Sequence, residues 1–333
     1  MRAWRVEQHG EPRDVLQLAD IDEPVPGPGE LRLRVRAAAV GLPDVLMCRG
    51  SYPLTPSLPF VPGQEVCGVV DAVGADVDAP VGARVMAVTS FMDGRGGFAD
   101  STIVSAGTVH RVPEEMSDAD AAGFRIGFST AWIGLVRRGA LVAGDWLLVL
   151  GAAGGSGAAA VQLGRALGAR VIAVANGDER CAFCTQLGAE VVIDRATESV
   201  TDAVLAATDG RGVDLVYDPV GGEPAAMATR TLAPGGRLLA IGFASGKWAQ
   251  PATHELVVRN ASLVGVYAGG LTREESDADH DALLALAEGG QLAGPATIMA
   301  FEQLPEALDA VADGSAVGKV VVRIGADEGE SAV

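Results

Sequence analysis

Between residues 146 and 267, six short apolar runs at 146–150, 171–175, 191–193, 215–217, 238–241 and 263–267 alternate with alanine-rich stretches of helical pattern. Few folds accept that rhythm. A strand that is apolar on both faces must be covered on both, and a helix between successive strands supplies the cover, so the pattern specifies a doubly wound parallel sheet. The chain before it reads differently. At 31–36 apolar and basic residues alternate strictly, and similar runs at 63–73, 83–88 and 98–104 are separated by Gly and Pro turns, which marks an all-β region. Pro24-Val25-Pro26-Gly27-Pro28-Gly29 is a rigid turn between its strands, not a linker. Residues 301–312 then read as a helix and 319–324 as a strand with period-two alternation, which returns the chain to the β region. A length of 333 residues fits two domains. The tail from Gly325 is expected to be unstructured.

The first of the six apolar runs leads into Gly151-Ala152-Ala153-Gly154-Gly155-Ser156-Gly157, and a helical pattern through Val161, Leu163 and Leu167 follows. Strand, glycine turn and helix is the context a dinucleotide fingerprint needs, because backbone N–H groups and the helix N-terminus can then meet a pyrophosphate. Alanine stands at the first glycine position, as Ala152-x-Gly154-x-x-Gly157, so the motif gains most of its weight from the surrounding strands. NAD-binding folds place a carboxylate at the end of the second strand, about 20 residues beyond the glycine loop, where it reads the ribose 2′-hydroxyl. Here that position is Asn176, and Arg180 follows on the next helical turn. A neutral residue removes the charge that would repel a 2′-phosphate, so NADP(H) is the expected cofactor. Asp178 and Glu179 weigh the other way, and a solvated surface role for Arg180 stays open.

Composition excludes several partners. Asp and Glu number 43 against 25 Lys and Arg, a net charge of −18 that repels nucleic acid and anionic lipid at long range. No apolar run reaches the ~18 residues of a membrane span, and Met1-Arg2-Ala3-Trp4-Arg5 leads into a mixed segment unlike a signal peptide, so a cytoplasmic location is expected. Four cysteines are too few for a disulfide framework.

The ordered motifs resemble the medium-chain dehydrogenase/reductase superfamily, and within it the zinc-independent NADPH:quinone oxidoreductase, or zeta-crystallin-like, branch. They are Gly50-Ser51-Tyr52-Pro53, Pro62-Gly63-Gln64-Glu65-Val66-Cys67-Gly68, Gly96-Gly97-Phe98-Ala99, the glycine loop, Gly212-Val213-Asp214 through Gly221-Gly222, and Gly318-Lys319-Val320-Val321. The resemblance covers nearly the whole chain. It implies a GroES-like β-rich catalytic domain over 1–119, completed by 296–333, and a six-stranded parallel Rossmann NADP(H)-binding domain over 120–295. It also implies a homodimer whose parallel sheets join edge to edge near residues 263–267, which an exposed sheet edge would explain.

Zinc-dependent relatives carry Gly-His-Glu, with the histidine as metal ligand, where this chain has Gly63-Gln64-Glu65; glutamine is a poor zinc ligand. The relatives' ligand cysteine has no counterpart in Val40-Gly41-Leu42-Pro43-Asp44, and the four-cysteine lobe is missing between Val85 and Phe98. No metal site is therefore expected. The branch also has a cleft asparagine that Leu42-Pro43-Asp44 lacks. By the same resemblance Thr130 lies near the nicotinamide ribose, and Val220, Phe243, Ala244 and Val266 line the nicotinamide half of the site; core packing is the alternative for each. Where the branch has Ile-Asp-Tyr after the third strand, this chain has Ile193-Asp194-Arg195, and Arg195 is a second candidate phosphate contact. Tyr52 matches the tyrosine credited with protonation in enoyl thioester reductases, with packing as its alternative role.

Other features carry less. Cys181-x-x-Cys184 reads as two residues of one helix face, and His9, His110, His254 and His280 match no motif at metal spacing. Residues 314–319 are too short for a phosphate-binding P-loop, and Glu274-Glu275-Ser276-Asp277 reads as a solvated loop or helix start. The expected function is an NADPH-dependent, zinc-free reductase that passes hydride to a quinone or an α,β-unsaturated carbonyl. The alternatives are an enoyl thioester or alkenal double-bond reductase and, in another class, an NADPH-binding protein without significant turnover.

Overall fold

The computed structural model describes residues 1–324; the tail expected from Gly325 onward lies outside the described residues. In chain order the first strands are β1 (Arg2–Val6), β2 (Leu16–Asp20), β3 (Glu30–Val40), β4 (Glu65–Val73), β5 (Arg84–Thr89) and β6 (Ser101–Arg111). Then come β7 (Trp146–Val149), β8 (Arg170–Ala175), β9 (Val191–Asp194), β10 (Val213–Asp218), β11 (Leu232–Ala240) and β12 (Ser262–Gly265). The last two are β13 (Thr297–Ala300) and β14 (Val320–Arg323). The chain forms two compact units, one of Met1–Ile126 with the chain from Gly294 onward, the other of Gly127–Ala293. The division falls inside the helix Asp118–Trp132, a few residues from the boundary expected after residue 119.

In the first unit a six-stranded sheet runs β13-β14-β3-β4-β5-β6. Strand β3 organises it. Leu31, Leu33 and Val35 are buried while the arginines between them are not, as the alternation at 31–36 required. The first half of β3 pairs with β6 and its last four residues with β14, so one long strand curls the sheet closed. Residues 98–100, expected to begin the sixth strand, instead bridge to β1: Trp4 N–H donates to Phe98 O at 2.9 Å and Asp100 N–H to Arg2 O at 2.9 Å. That hairpin of β1 and β2 was not expected, because Arg2 and Arg5 interrupt its apolar pattern. The turn at 24–29 lies between β2 and β3, with Gly27 N–H held by the Glu30 carboxylate at 2.9 Å.

In the second unit all neighbouring strands are parallel, in the order β12-β11-β10-β7-β8-β9. This is the doubly wound sheet that the six apolar runs specify. Leu147, Leu148 and Val149 of β7 are wholly buried, at about 1.5–3 kcal/mol of burial each. The chain winds outward from β7 through β8 and β9, then returns to place β10 on the other flank of β7. Strand order therefore reverses at β7 and β10, which opens a crevice at their carboxyl ends. The segment at 263–267 is shorter than expected, ending as a strand at Gly265, and β12 forms the sheet edge.

Candidate active site

The glycine loop leaves β7 at that crevice, stitched to the strands on either side. Leu150 N–H donates to Tyr217 O at 3.1 Å and Ala152 N–H to Val174 O at 3.0 Å. The helix Gly155–Ala166 then starts with Gly154 as an extended N-cap and no side-chain cap. Its first-turn N–H groups have no acceptor within the helix, so Gly155, Ser156 and Gly157 present donors and the positive end of the helix dipole to an anion. A side chain at Gly157 would place its Cβ 2.2 Å from Gly151 O and 2.7 Å from Ala152 Cα. Glycine is what allows helix and loop to meet there. Ala152 and Ala153 are buried beneath the loop.

Ser156 is tied down from below by a 2.9 Å hydrogen bond between its Oγ and the Tyr217 hydroxyl. Tyr217 is fully buried, and burial drives its phenol far above its ordinary range, so it stays neutral. It lies in the Gly212–Gly222 motif that carries the family resemblance.

At the ends of β8 and β9 the structure brings Asn176, Arg180 and Arg195 together. Ala175 and Asp194 are register partners, and Arg195 N–H donates to Ala175 O at 3.1 Å. Arg180 donates from Nη1 to Asn176 O at 3.2 Å, while Arg195 is exposed. Asp194 accepts from Ala196 N–H at 2.9 Å and Gly177 N–H at 3.1 Å. Those donors hold its carboxyl below the usual range and turn it to the turn's own backbone.

On the other flank Val220 follows β10, Phe243 and Ala244 follow β11, and Val266 follows β12, so all four sit at carboxyl ends of parallel strands. Asp218, a member of the Gly212–Gly222 motif but not one of the expected site residues, sets the first of these. Its Oδ1 accepts from Val220 N–H at 2.9 Å and Gly221 N–H at 2.7 Å, which places a Val220 methyl 3.0 Å from where a Gly151 side chain would begin. Ala244 N–H bonds Pro219 O at 3.1 Å and Val266 N–H bonds Ala240 O at 3.1 Å. Phe243 packs on Trp248 with ring centroids 4.5 Å apart. Thr130 is one turn beyond Gly127, whose side-chain position faces Ala159 and Gly155 of the glycine-loop helix at 3.6 and 3.9 Å.

Tyr52 belongs to the first unit. It follows the helix Leu42–Cys48, its N–H bonds Leu46 O at 3.2 Å, and its ring packs partly buried on that unit's core. Beside that helix lies a group of buried charges that sequence reasoning missed. Asp44 accepts from Gly41 N–H at 2.9 Å and from Gly63 N–H at 3.1 Å. Glu65 accepts from Ile126 N–H at 2.7 Å through Oε2 and pairs through Oε1 with Lys319. Burial pushes the Asp44 carboxyl up to about 7 and nearby Glu65 adds to the rise, against the pull of Lys319 and the two backbone donors. No signal could have found the group, since its members lie far apart in sequence and each reads locally as part of a turn or strand.

These residues stand where zinc-dependent members of the superfamily hold their metal. Both carboxylates are engaged by backbone donors and Lys319, Gln64 stands in place of the histidine, and among the described residues no three His, Cys, Asp or Glu side chains are grouped to hold a metal. This donor set does not fit a zinc ion. Cys181 and Cys184 lie within the helix Asp178–Gln186, and Glu275 completes a capping box with Thr272 at the start of Arg273–Glu288.

Comparison with known proteins agrees with this division. Residues 27–114 match the alcohol dehydrogenase GroES-like domain, and residues 155–288 match the zinc-binding dehydrogenase domain. The chain is similar to a quinone oxidoreductase-like protein 2 homologue of Nematostella vectensis, 32% identical over 303 residues, covering 89% of this chain and 82% of that one. Among solved structures, quinone oxidoreductase of Thermus thermophilus, also solved with NADPH, aligns with TM-score 0.82 and 35% identity over 97% of this chain and all of that one (100%). Quinone oxidoreductase of Pseudomonas syringae aligns with TM-score 0.89 and 26% identity over 97% and 99% of the two chains.

Proposed function

Because the chain belongs to the quinone oxidoreductase-like medium-chain dehydrogenases and reductases, we propose that it binds NADP(H) at the carboxyl edge of its parallel sheet and reduces a quinone or related electron-poor carbonyl without a metal. The observation that carries the reading is the uncapped first turn of Gly155–Ala166, with Arg180 and Arg195 grouped at the ends of β8 and β9. In that reading the pyrophosphate meets the N–H groups of residues 155–157, and Arg180 and Arg195 hold the 2′-phosphate beside the neutral Asn176. Thr130 contacts the nicotinamide ribose, while Val220, Phe243, Ala244 and Val266 form its apolar wall. Bound there, NADPH would supply a hydride, and a quinone that gains this hydride and one solvent proton becomes the hydroquinone, with NADP+ as the other product.

Tyr52 is the candidate proton donor for a double-bond substrate. The packing of its ring on the core favours the quinone reading, in which the reduced oxygen can take its proton from water. The exposed edge at β12, with Leu263 43% and Tyr267 69% accessible, supports pairing with a second copy. No described helix is long and apolar enough to cross a membrane.

The test is steady-state NADPH oxidation with a panel of quinones, enones and enoyl thioesters, before and after chelation, for the wild type and Tyr52→Phe. Quinone turnover that survives chelation, with only about a 2- to 10-fold loss in Tyr52→Phe, is expected. Turnover confined to enoyl thioesters and lost about 100-fold or more in that variant would favour the double-bond reductase. Tight NADPH binding with no turnover at all would make the chain a cofactor-binding protein.

A further inference from the structure

Tyr217 is wholly buried, yet it ends in a hydroxyl. Burial drives the phenol far above its ordinary range, so it stays neutral and keeps its hydrogen. A buried donor is nearly always paired. Among the described residues the one partner of this hydroxyl is Ser156 Oγ, at 2.9 Å, so the phenol donates and the serine accepts. The ring is lodged against Gly134, where a Cβ would stand 3.3 Å from Tyr217 Cε2. The backbone of Tyr217 is fixed as well, in register with Val149 of β7 and accepting Leu150 N–H at 3.1 Å. One residue of β10 therefore grips the glycine loop at both ends, at Leu150 where the loop leaves β7 and at Ser156 where the helix begins.

The helix Gly155–Ala166 needs such a grip. Gly154 caps it without a side chain, and Ala158 N–H to Gly154 O, at 2.8 Å, is its first internal bond. A Ser, Thr, Asp or Asn at the N-cap would steady the start by accepting a first-turn N–H, but it would spend a donor and set an oxygen against an incoming phosphate. We propose that Tyr217 is a positioning residue of the cofactor site: its hydroxyl donates to Ser156 Oγ and holds the helix start in place of a side-chain N-cap, which keeps the N–H groups of residues 155–157 free for the cofactor's pyrophosphate. The inference deepens the NADP(H) reading above and rests on it. Because the serine is the acceptor, the bond consumes none of the helix's donors and leaves the serine hydrogen uncommitted. It ties the helix start to β10, one of the two strands between which the crevice opens.

The test compares wild type, Tyr217→Phe, Ser156→Ala and the double variant by calorimetric titration with three probes. NADP+ carries the whole cofactor, 2′-phospho-ADP-ribose lacks the nicotinamide, and 2′-AMP lacks the pyrophosphate as well. NADP+ and 2′-phospho-ADP-ribose should each weaken about 2- to 10-fold in either single variant, the loss expected for one neutral hydrogen bond. The double variant should be no weaker than the weaker single one, because both remove the same bond. Affinity for 2′-AMP should stay within about twofold throughout, since that probe has no pyrophosphate to place. In unliganded Tyr217→Phe, amide hydrogens of residues 155–158 should exchange faster while those of the parallel strands keep their protection. Ser156→Ala should melt below Tyr217→Phe, because it alone leaves a buried phenol unpaired. Unchanged affinity for 2′-phospho-ADP-ribose overturns the inference. So do equal losses for 2′-AMP, the mark of a merely structural role, and losses that add in the double variant. A wild type that binds neither dinucleotide nor fragments would instead refute the cofactor reading, and amide exchange would still decide whether Tyr217 holds the helix start.

Discussion

The two units build their candidate sites from opposite materials. In the parallel unit the chemistry is backbone: an uncapped helix start, a loop stitched between β8 and β10, and glycines where a Cβ would collide. In the β-rich unit it is side chains, with Asp44 and Glu65 buried, the half-buried Lys319 paired with Glu65, and the buried Gln64 amide donor unpartnered. The difference teaches where each site is vulnerable. A backbone cradle is broken by adding atoms, whereas a buried charge group is broken by removing one member.

The largest effect is expected at Gly157. Gly157→Ala forces a Cβ into backbone at 2.2 and 2.7 Å, and no side-chain movement can relieve that contact. Calorimetric titration should find no NADPH binding at millimolar cofactor, with a lowered melting temperature. Normal affinity would break the comparison, because the cradle would then not depend on close backbone approach.

Next comes Lys319→Met, which leaves Glu65 buried without its cation. Removing one partner of such a pair costs about 3–5 kcal/mol, read as a shift of the urea midpoint, and adding Glu65→Gln should restore most of it. If the single variant is as stable as wild type, the pair is not desolvated and the contrast between the units fails.

The third expectation concerns pH. Asp44 is fully buried and its folded-state pKa of about 7 stands above the unfolded value near 3.8. An acid shifted upward contributes stability that is full below the unfolded pKa and lost as pH rises through the folded one. The shift corresponds to roughly 4 kcal/mol, lost between about pH 4 and 7. Unfolding measured across that range should show wild type losing stability relative to Asp44→Asn. Parallel curves would assign the titration to another group.

The smallest effects sharpen the comparison by finding where side chains matter in the parallel unit. Arg180→Ala and Arg195→Ala should each weaken NADPH about 10- to 150-fold, equivalent to 1.5–3 kcal/mol, while NADH affinity hardly changes. Equal losses for both cofactors would show that neither arginine reads the 2′-phosphate.

Legibility in the sequence followed the same divide. Each strand of the parallel sheet is one continuous apolar run, and the glycine loop compresses its requirements into seven adjacent residues, so sheet, helix start and strand-end residues could be read directly. The hairpin of β1 and β2 was hidden because Arg2, which breaks its apolar pattern, is neutralised by residues distant in sequence, Asp100 and Glu302. Strand β13, four residues long with alternate exposure, is too short to carry a period. Tyr217 and Asp218 lay within a quoted motif, but that they brace Ser156 and Val220 appears only in three dimensions.

What the sequence by itself determined was everything set by neighbours along the chain: the alternation that orders the parallel sheet, the glycine turn that starts its helix, and the glutamine at the superfamily's metal position. Only the tertiary structure decided which charges lie inside. Residues 44, 65 and 319 meet because β14 returns beside β3 and β3 pairs with β4. Local pattern sets a residue's conformation and face, but the cost of burying its charge depends on partners that only the closed sheet brings within reach.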